Sequence, residues 1–307
     1  MCIQKNDDNN HSGTKVKMIK NSNENYTSNK RIIFIRHGRT YMNEYLSRPG
    51  SRWGDAGFTD IGLPKDLYRD SPLSQKGIEQ AKALCGRIAV GLNQKDSNDK
   101  SFNVANMSEI DLVVVSPLTR AFQTFEYGLL PHIINQQDNE ESNSLTKKKN
   151  IPIIALPLAS ERVYLISDLG LPTEILKQKF PYADFSSEFT QFDEEWWFTV
   201  NDANPLEILK EDKPSHCFNS IDLSQYKEWR PNDEGQTYAC LGEPDEQFNQ
   251  RMIALYEWLA NRRERNICVV SHWGVLEFLT GFEFENCEVR TIPFDQIQRH
   301  VKISSTQ

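Results

Sequence analysis

Ile32-Ile33-Phe34-Ile35 runs without interruption into Arg36-His37-Gly38-Arg39-Thr40. Four consecutive apolar residues fit a strand covered on both faces, and the run ends by presenting a histidine between two arginines. Guanidinium groups lower an imidazole's proton affinity by like-charge repulsion and attract a dianionic phosphate. The setting therefore suits a neutral, nucleophilic histidine facing a phosphoryl group. Two further runs end in the same manner: Leu112-Val113-Val114-Val115 leads into Ser116-Pro117-Leu118-Thr119-Arg120-Ala121, and Ile267-Cys268-Val269-Val270 leads into Ser271-His272-Trp273-Gly274. Apolar runs separated by long helical segments predict an α/β fold with a mostly parallel central sheet flanked by helices on both faces. Ligands in such sheets bind beyond the carboxyl ends of the strands, so Arg36, His37, Arg120 and His272 are expected to converge on one anion.

The segments between these runs read as helices. Residues 74 to 92 carry an apolar stripe at Ile78, Ala81, Leu84, Cys85, Ile88 and Leu92, with Ser74 placed as an N-cap. Ser116 and Pro117 suit the cap and first position of a second helix, which puts Arg120 in or near its first turn, where the helix end adds positive character to an anion site. A third helix is expected over about residues 243 to 264, with Phe248, Met252, Leu255, Tyr256 and Leu259 on one face. Arg262, Arg263 and Arg265 lie near its end, where cations suit the dipole. Ile151 to Leu158 reads as a strand or extended segment whose prolines fit a sheet edge better than its centre.

Taken together and in order, these motifs resemble the histidine phosphatase superfamily, also called phosphoglycerate mutase-like, over about residues 31 to 293. The resemblance implies that His37 is the nucleophile that becomes phosphohistidine, and that Arg36, Arg120 and His272 hold the phosphoryl oxygens. Asn43 matches a family asparagine that bonds the phosphate, and Arg39 stands where many members carry an acidic residue or glutamine, either reinforcing the pocket or pointing to solvent. An alkoxide is a poor leaving group unless protonated, so a carboxylic acid is needed on the leaving-group side. Glu161 matches the family's proton donor, with Asp168 as the alternative acid. Ser167-Asp168-Leu169-Gly170, Phe180 to Ser186, Trp196-Trp197 and Asn286-Cys287-Glu288 resemble plant and bacterial phosphatase-type members. Mutases of the family continue the glutamate motif through tyrosine-glycine, whereas here Tyr164 is followed by Leu165. Trp196 and Trp197 are candidates for a wall of the substrate pocket, although two adjacent aromatics are more often split between core and surface.

The chain of 307 residues accommodates one catalytic domain, residues 31–303, behind an Asn/Lys-rich tail at 1–30 that is expected to be disordered. A low-complexity loop insertion is expected at about 135–150, and a shorter one from Gln94 to Ser101. A formal net charge of -8 argues against a nucleic-acid partner, and no stretch is apolar enough for a membrane span or a secretory signal, so a cytoplasmic protein is the default. Six cysteines without a Cys-x-x-Cys pair read as buried thiols, and six histidines without zinc-like spacing give no metal site. No cofactor is implied. The leading expectation is a phosphomonoester hydrolase acting on a small phosphorylated metabolite or phosphopeptide. A phosphoglycerate mutase-type phosphotransferase and a non-catalytic binding module on the same fold are the alternatives, and oligomeric state is not legible.

Overall fold

The computed structural model describes residues 29–50, 65–93, 109–133, 151–186, 188, 196, 228–229, 238–239, 243 and 245–297. The expected insertions at 94–101 and 135–150, Trp197, residues 1–28 of the tail and residues 298–303 lie outside these. Strands β1 (Arg31–Arg36), β2 (Leu112–Val115), β3 (Ile153–Ala155), β4 (Asn266–Ser271) and β5 (Val289–Pro293) form one sheet in the order β3-β2-β4-β1-β5. The first four are parallel, with Ile33 beside Cys268, Val113 beside Cys268 and Val113 beside Ile153; β5 closes the edge antiparallel, Phe34 opposite Arg290. The mostly parallel sheet expected from the apolar runs is what forms. The proline-flanked segment is indeed an edge strand.

Helices α1 (Tyr41–Leu46), α2 (Lys65–Tyr68), α3 (Gln75–Asn93), α4 (Thr119–Gly128), α5 (Thr173–Lys179), α6 (Asp245–Asn261) and α7 (Trp273–Thr280) surround the sheet. Side chains alternate across a strand, and the two faces bury separate cores. Ile33, Ile35, Val113, Val115 and Val270 meet Ala81, Leu84 and Ile88 of α3 and Ala121, Phe122 and Phe125 of α4. Ile32, Phe34, Val114, Ile267 and Val269 meet Met252, Leu255 and Leu259 of α6 and Val275, Leu276 and Leu279 of α7. Burying both faces is why the strands read as unbroken apolar runs and not as alternating ones.

Four local readings need correction. Helix α4 starts at Thr119, with Leu118 as its N-cap; Ser116 is not the cap, because its hydroxyl is engaged elsewhere, and the exposed-donor problem is solved by Asp70, whose carboxylate accepts from Thr119 N at 2.9 Å and Thr119 Oγ1 at 2.6 Å. Helix α6 ends at Asn261, before the arginines, and Arg262 pairs with Glu264 at 2.7 Å instead of serving the last turn. Lys30, assigned above to the disordered tail, is buried: its Nζ donates to the carbonyls of Leu259, Ala260 and Arg262 at 2.7, 3.1 and 2.7 Å, and burial pushes its pKa down to about 8. Trp196 belongs to the core and not to a pocket wall. It is fully buried against Gly170, where a Cβ would come within 2.2 Å of the indole, and its Nε1 donates to Leu171 O at 2.8 Å. Among the described residues no helix is long and apolar enough to cross a membrane.

Candidate active site

The parallel register brings the ends of β1, β2 and β4 to one edge, and there His37, Arg120 and His272 lie together. His37 is 4% exposed, and its ring centroid is 5.0 Å from that of His272. Its Nδ1 is 2.7 Å from Gly38 O. A carbonyl only accepts, so Nδ1 carries the proton and the lone pair of the neutral ring is on Nε2. Burial, then the charges of Arg120 and Arg36, hold the imidazole's pKa well below 6.5, which keeps it unprotonated at neutral pH.

The backbone around this histidine is fixed from three directions. His37 N donates to Ser271 O at 3.0 Å, Asn286 Nδ2 donates to His37 O at 2.9 Å, and Gly38 N donates to Thr124 Oγ1 at 2.9 Å. Cys287 N and Arg36 O, at 3.0 Å, tie the same loop to the strand end. Close packing explains the glycine after the histidine: a Cβ on Gly38 would lie 2.9 Å from Gly77 O, and one on Gly77 would lie 1.9 Å from Arg39 O.

Arg120, 4% exposed in the first turn of α4, donates from Nε to His272 Nδ1 at 3.2 Å, from one terminal nitrogen to Ser167 O at 2.6 Å and from the other to Asp168 at 2.9 Å. Because Nδ1 of His272 accepts, its Nε2 carries the proton and faces Ser116 Oγ at 2.6 Å. Both ring nitrogens of His272 therefore have protein partners, and a phosphoryl oxygen would share the Nε2 proton with Ser116. Arg36 donates to Phe284 O at 2.5 Å, and its buried Nε has no hydrogen-bond partner among the described residues. That orphaned donor, next to His37 in the chain, fits an anion.

Glu161 follows β3 and a short turn, Pro157–Ala159. Burial, then the charge of Asp168, raises its pKa above the usual glutamate value, against the opposing effect of Arg120. Its carboxylate accepts from Arg162 N at 2.9 Å and Gly274 N at 3.4 Å. Asp168 is differently engaged. It is salt-bridged to Arg120 at 2.9 Å and accepts from the backbone N–H of Tyr164 and Leu165 at 3.2 and 3.0 Å. The alternative acid is thus the anchor of Arg120.

Asn43 and Arg39 sit on the entry to α1. Asn43 Oδ1 accepts from Thr40 N at 3.2 Å while Thr40 Oγ1 accepts from Asn43 N at 2.9 Å, a capping box that leaves the amide NH₂ of Asn43 for a ligand. The Arg39 guanidinium turns back to Asn43 O at 3.5 Å. Sequence reasoning missed Ser116, Thr124 and Asn286 as supports of the two histidines. Thr124 had a signal, since it lies four residues after Arg120 on the same helical face; Ser116 and Asn286 had none beyond proximity to a motif. Among the described residues, no group of three or more His, Cys, Asp or Glu side chains is arranged to hold a metal ion.

No family model matches the chain. It is 24% identical over 234 residues to phosphoglycerate mutase-like protein 2 of Arabidopsis thaliana, covering 66% of this chain and 62% of that protein, so the chain spans less than two thirds of that relative's length. Similar solved structures include the ecdysone phosphate phosphatase of Bombix mori, at 14% identity and a TM-score of 0.41 over 85% of this chain and 88% of the other. The α-ribazole phosphatase of Shigella flexneri is another, at 18% identity and a TM-score of 0.38 over 85% and 89%.

Proposed function

We propose that this chain, which belongs to the histidine phosphatase superfamily by its motif order and its match to the plant phosphoglycerate mutase-like protein, is a phosphomonoester hydrolase working through a phosphohistidine on a small phosphorylated metabolite or phosphopeptide. The observation that carries the reading is the state of His37: a neutral ring whose Nδ1 proton is fixed on Gly38 O, leaving the Nε2 lone pair available, with the charges of Arg120 and Arg36 acting on the ring.

His37 Nε2 attacks phosphorus as the bond from phosphorus to the bridging oxygen breaks, and Glu161 gives its proton to that oxygen so that the alcohol leaves neutral. Arg36, the remaining N–H groups of Arg120, the Nε2 proton of His272 and the Asn43 amide meet the charge on the equatorial oxygens. Water then attacks the phosphohistidine and gives a proton to the Glu161 carboxylate. The bond from phosphorus to nitrogen breaks, inorganic phosphate leaves, and both residues return to their starting forms. One buried carboxyl serves as acid and then as base, which suits a group whose pKa is raised above 4.5.

Substrate labelled on phosphorus should leave an acid-labile, base-stable adduct on the intact protein. His37→Ala should abolish that adduct together with about a thousandfold or more of turnover, the scale of lost covalent catalysis. An adduct of equal yield in the alanine variant overturns the assignment.

A further inference from the structure

Outside the pocket lies a second buried charge cluster that the reaction does not use. Arg251 of α6 and Glu243, just before that helix, are 3% and 8% exposed, and their pairing is bidentate: Nε to one carboxylate oxygen at 2.8 Å and a terminal nitrogen to the other at 2.6 Å. The remaining donors of Arg251 go to three carbonyls of one loop, Leu158 O at 2.9 Å, Ser160 O at 2.8 Å and Glu161 O at 3.4 Å. A guanidinium has five N–H groups, and here all five are used by the protein. This arginine therefore has nothing left for a ligand.

Glu243 grips the same loop through its backbone. Its N donates to Val163 O at 2.7 Å, and its carbonyl accepts from Arg162 Nε at 2.8 Å. The segment from Leu158 to Val163 is thus held at five points by one ion pair, with Glu161 in the middle. Burying two charges is costly, and a pair of this kind is poor evidence of stability as such. What it does here is satisfy the carbonyls of Leu158, Ser160 and Glu161 from one multidentate donor, which ties the backbone course of this loop to α6. That course decides where the Glu161 carboxyl stands.

We infer that Arg251 and Glu243 are a positioning pair for the proton donor, setting the reach of Glu161 toward the leaving group without touching the substrate. The inference rests on the reading of Glu161 as general acid. Small misplacements of a catalytic group are expensive in rate, so the pair should matter wherever the leaving group needs a proton and little where it does not.

The test uses Arg251→Lys and Glu243→Gln in the full chain, with single-turnover formation of the phosphoenzyme measured on an alkyl phosphate and on nitrophenyl phosphate. Each variant should lose about 10–100-fold on the alkyl substrate and far less on the nitrophenyl one, the scale expected for a displaced catalytic group. Combined with Glu161→Gln, neither should cost anything further on the alkyl substrate. Proportional losses on both substrates, or losses that multiply with Glu161→Gln, overturn the inference. Glu243→Gln keeps an acceptor oxygen and the same shape, so it decides the matter if thermal melting shows that Arg251→Lys does not fold. A native protein that forms no phosphoenzyme and turns over neither substrate would instead overturn the proposed function, whereas a leaving-group gap seen in Glu161→Gln but not in the pair variants overturns only the positioning role.

Discussion

Among the described residues Arg36, at the end of β1, gives one hydrogen bond, to Phe284 O, and keeps a buried Nε without a partner; Arg251 on α6 gives all five of its N–H groups to Glu243 and to loop carbonyls. Arg120 falls between them, with three donors engaged. Burial does not separate Arg120 from Arg251, which are almost equally enclosed. The hydrogen bonds left unused do. A buried cation whose donors are open is a site for an anion, and one whose donors are all satisfied is scaffold.

The sharpest way to break this division is through the carboxyl that stands between the two clusters. Glu161→Gln keeps size and polarity but supplies no comparably acidic proton, so phosphoenzyme formation on an alkyl phosphate should fall by about 10²–10⁴, with a much smaller loss on nitrophenyl phosphate. Equal losses in single-turnover measurements would make Glu161 scaffold as well.

A direct contrast of the two arginines comes next. Arg36→Lys removes a planar donor from the pocket and should weaken inhibition by inorganic phosphate about 10–100-fold, the worth of roughly one or two charge-assisted hydrogen bonds. Arg251→Lys should leave the inhibition constant near that of the native protein. Matching changes in the two variants, read by competition assays, would dissolve the distinction.

The smallest effect is in the pH profile. His37 must be neutral, and its pKa is depressed below 6.5, so the acid limb of phosphoenzyme formation should lie below the ordinary histidine range. Glu161 must be protonated, and its pKa is raised above 4.5, so the rate falls as pH rises through that raised value. Glu161→Gln should lose the alkaline limb and keep the acid one. Persistence of both limbs in the glutamine variant would assign the alkaline limb to another group.

The strands and the pocket's basic residues were legible because each apolar run ends in the residue that matters, and parallel topology forces those ends to one edge. Other features depended on distance in space. Ser116 carries the signature of an N-cap, yet a hydroxyl that can cap a helix can equally meet a histidine, and His272, 156 positions away, takes it at 2.6 Å. Asp168 was legible as a carboxylate near Glu161, but its ion pair with Arg120, 48 positions away, was not. Arg251 shows nothing in sequence beyond one more cation on a helix, because the carbonyls it binds belong to a loop about ninety residues earlier. For Trp196 the choice between pocket wall and core also depended on space, and the tight fit against Gly170 decides for the core.

The sheet order also bears on how the protein is made. β1 lies between β4 and β5, and both of these neighbours begin after residue 265. In synthesis β1 emerges well before either of its partners, so the apolar strand that leads into His37 has neither of these edges paired until Asn266 and the residues after it follow. Contacts of such long sequence separation form late and slowly, and an unpaired apolar strand is prone to wrong association meanwhile. A chain halted before Asn266 would hold the β2–β3 pair but no neighbour for β1. His37 and His272, whose rings stand 5.0 Å apart, can therefore meet only after the strand that leads into His272 has been made.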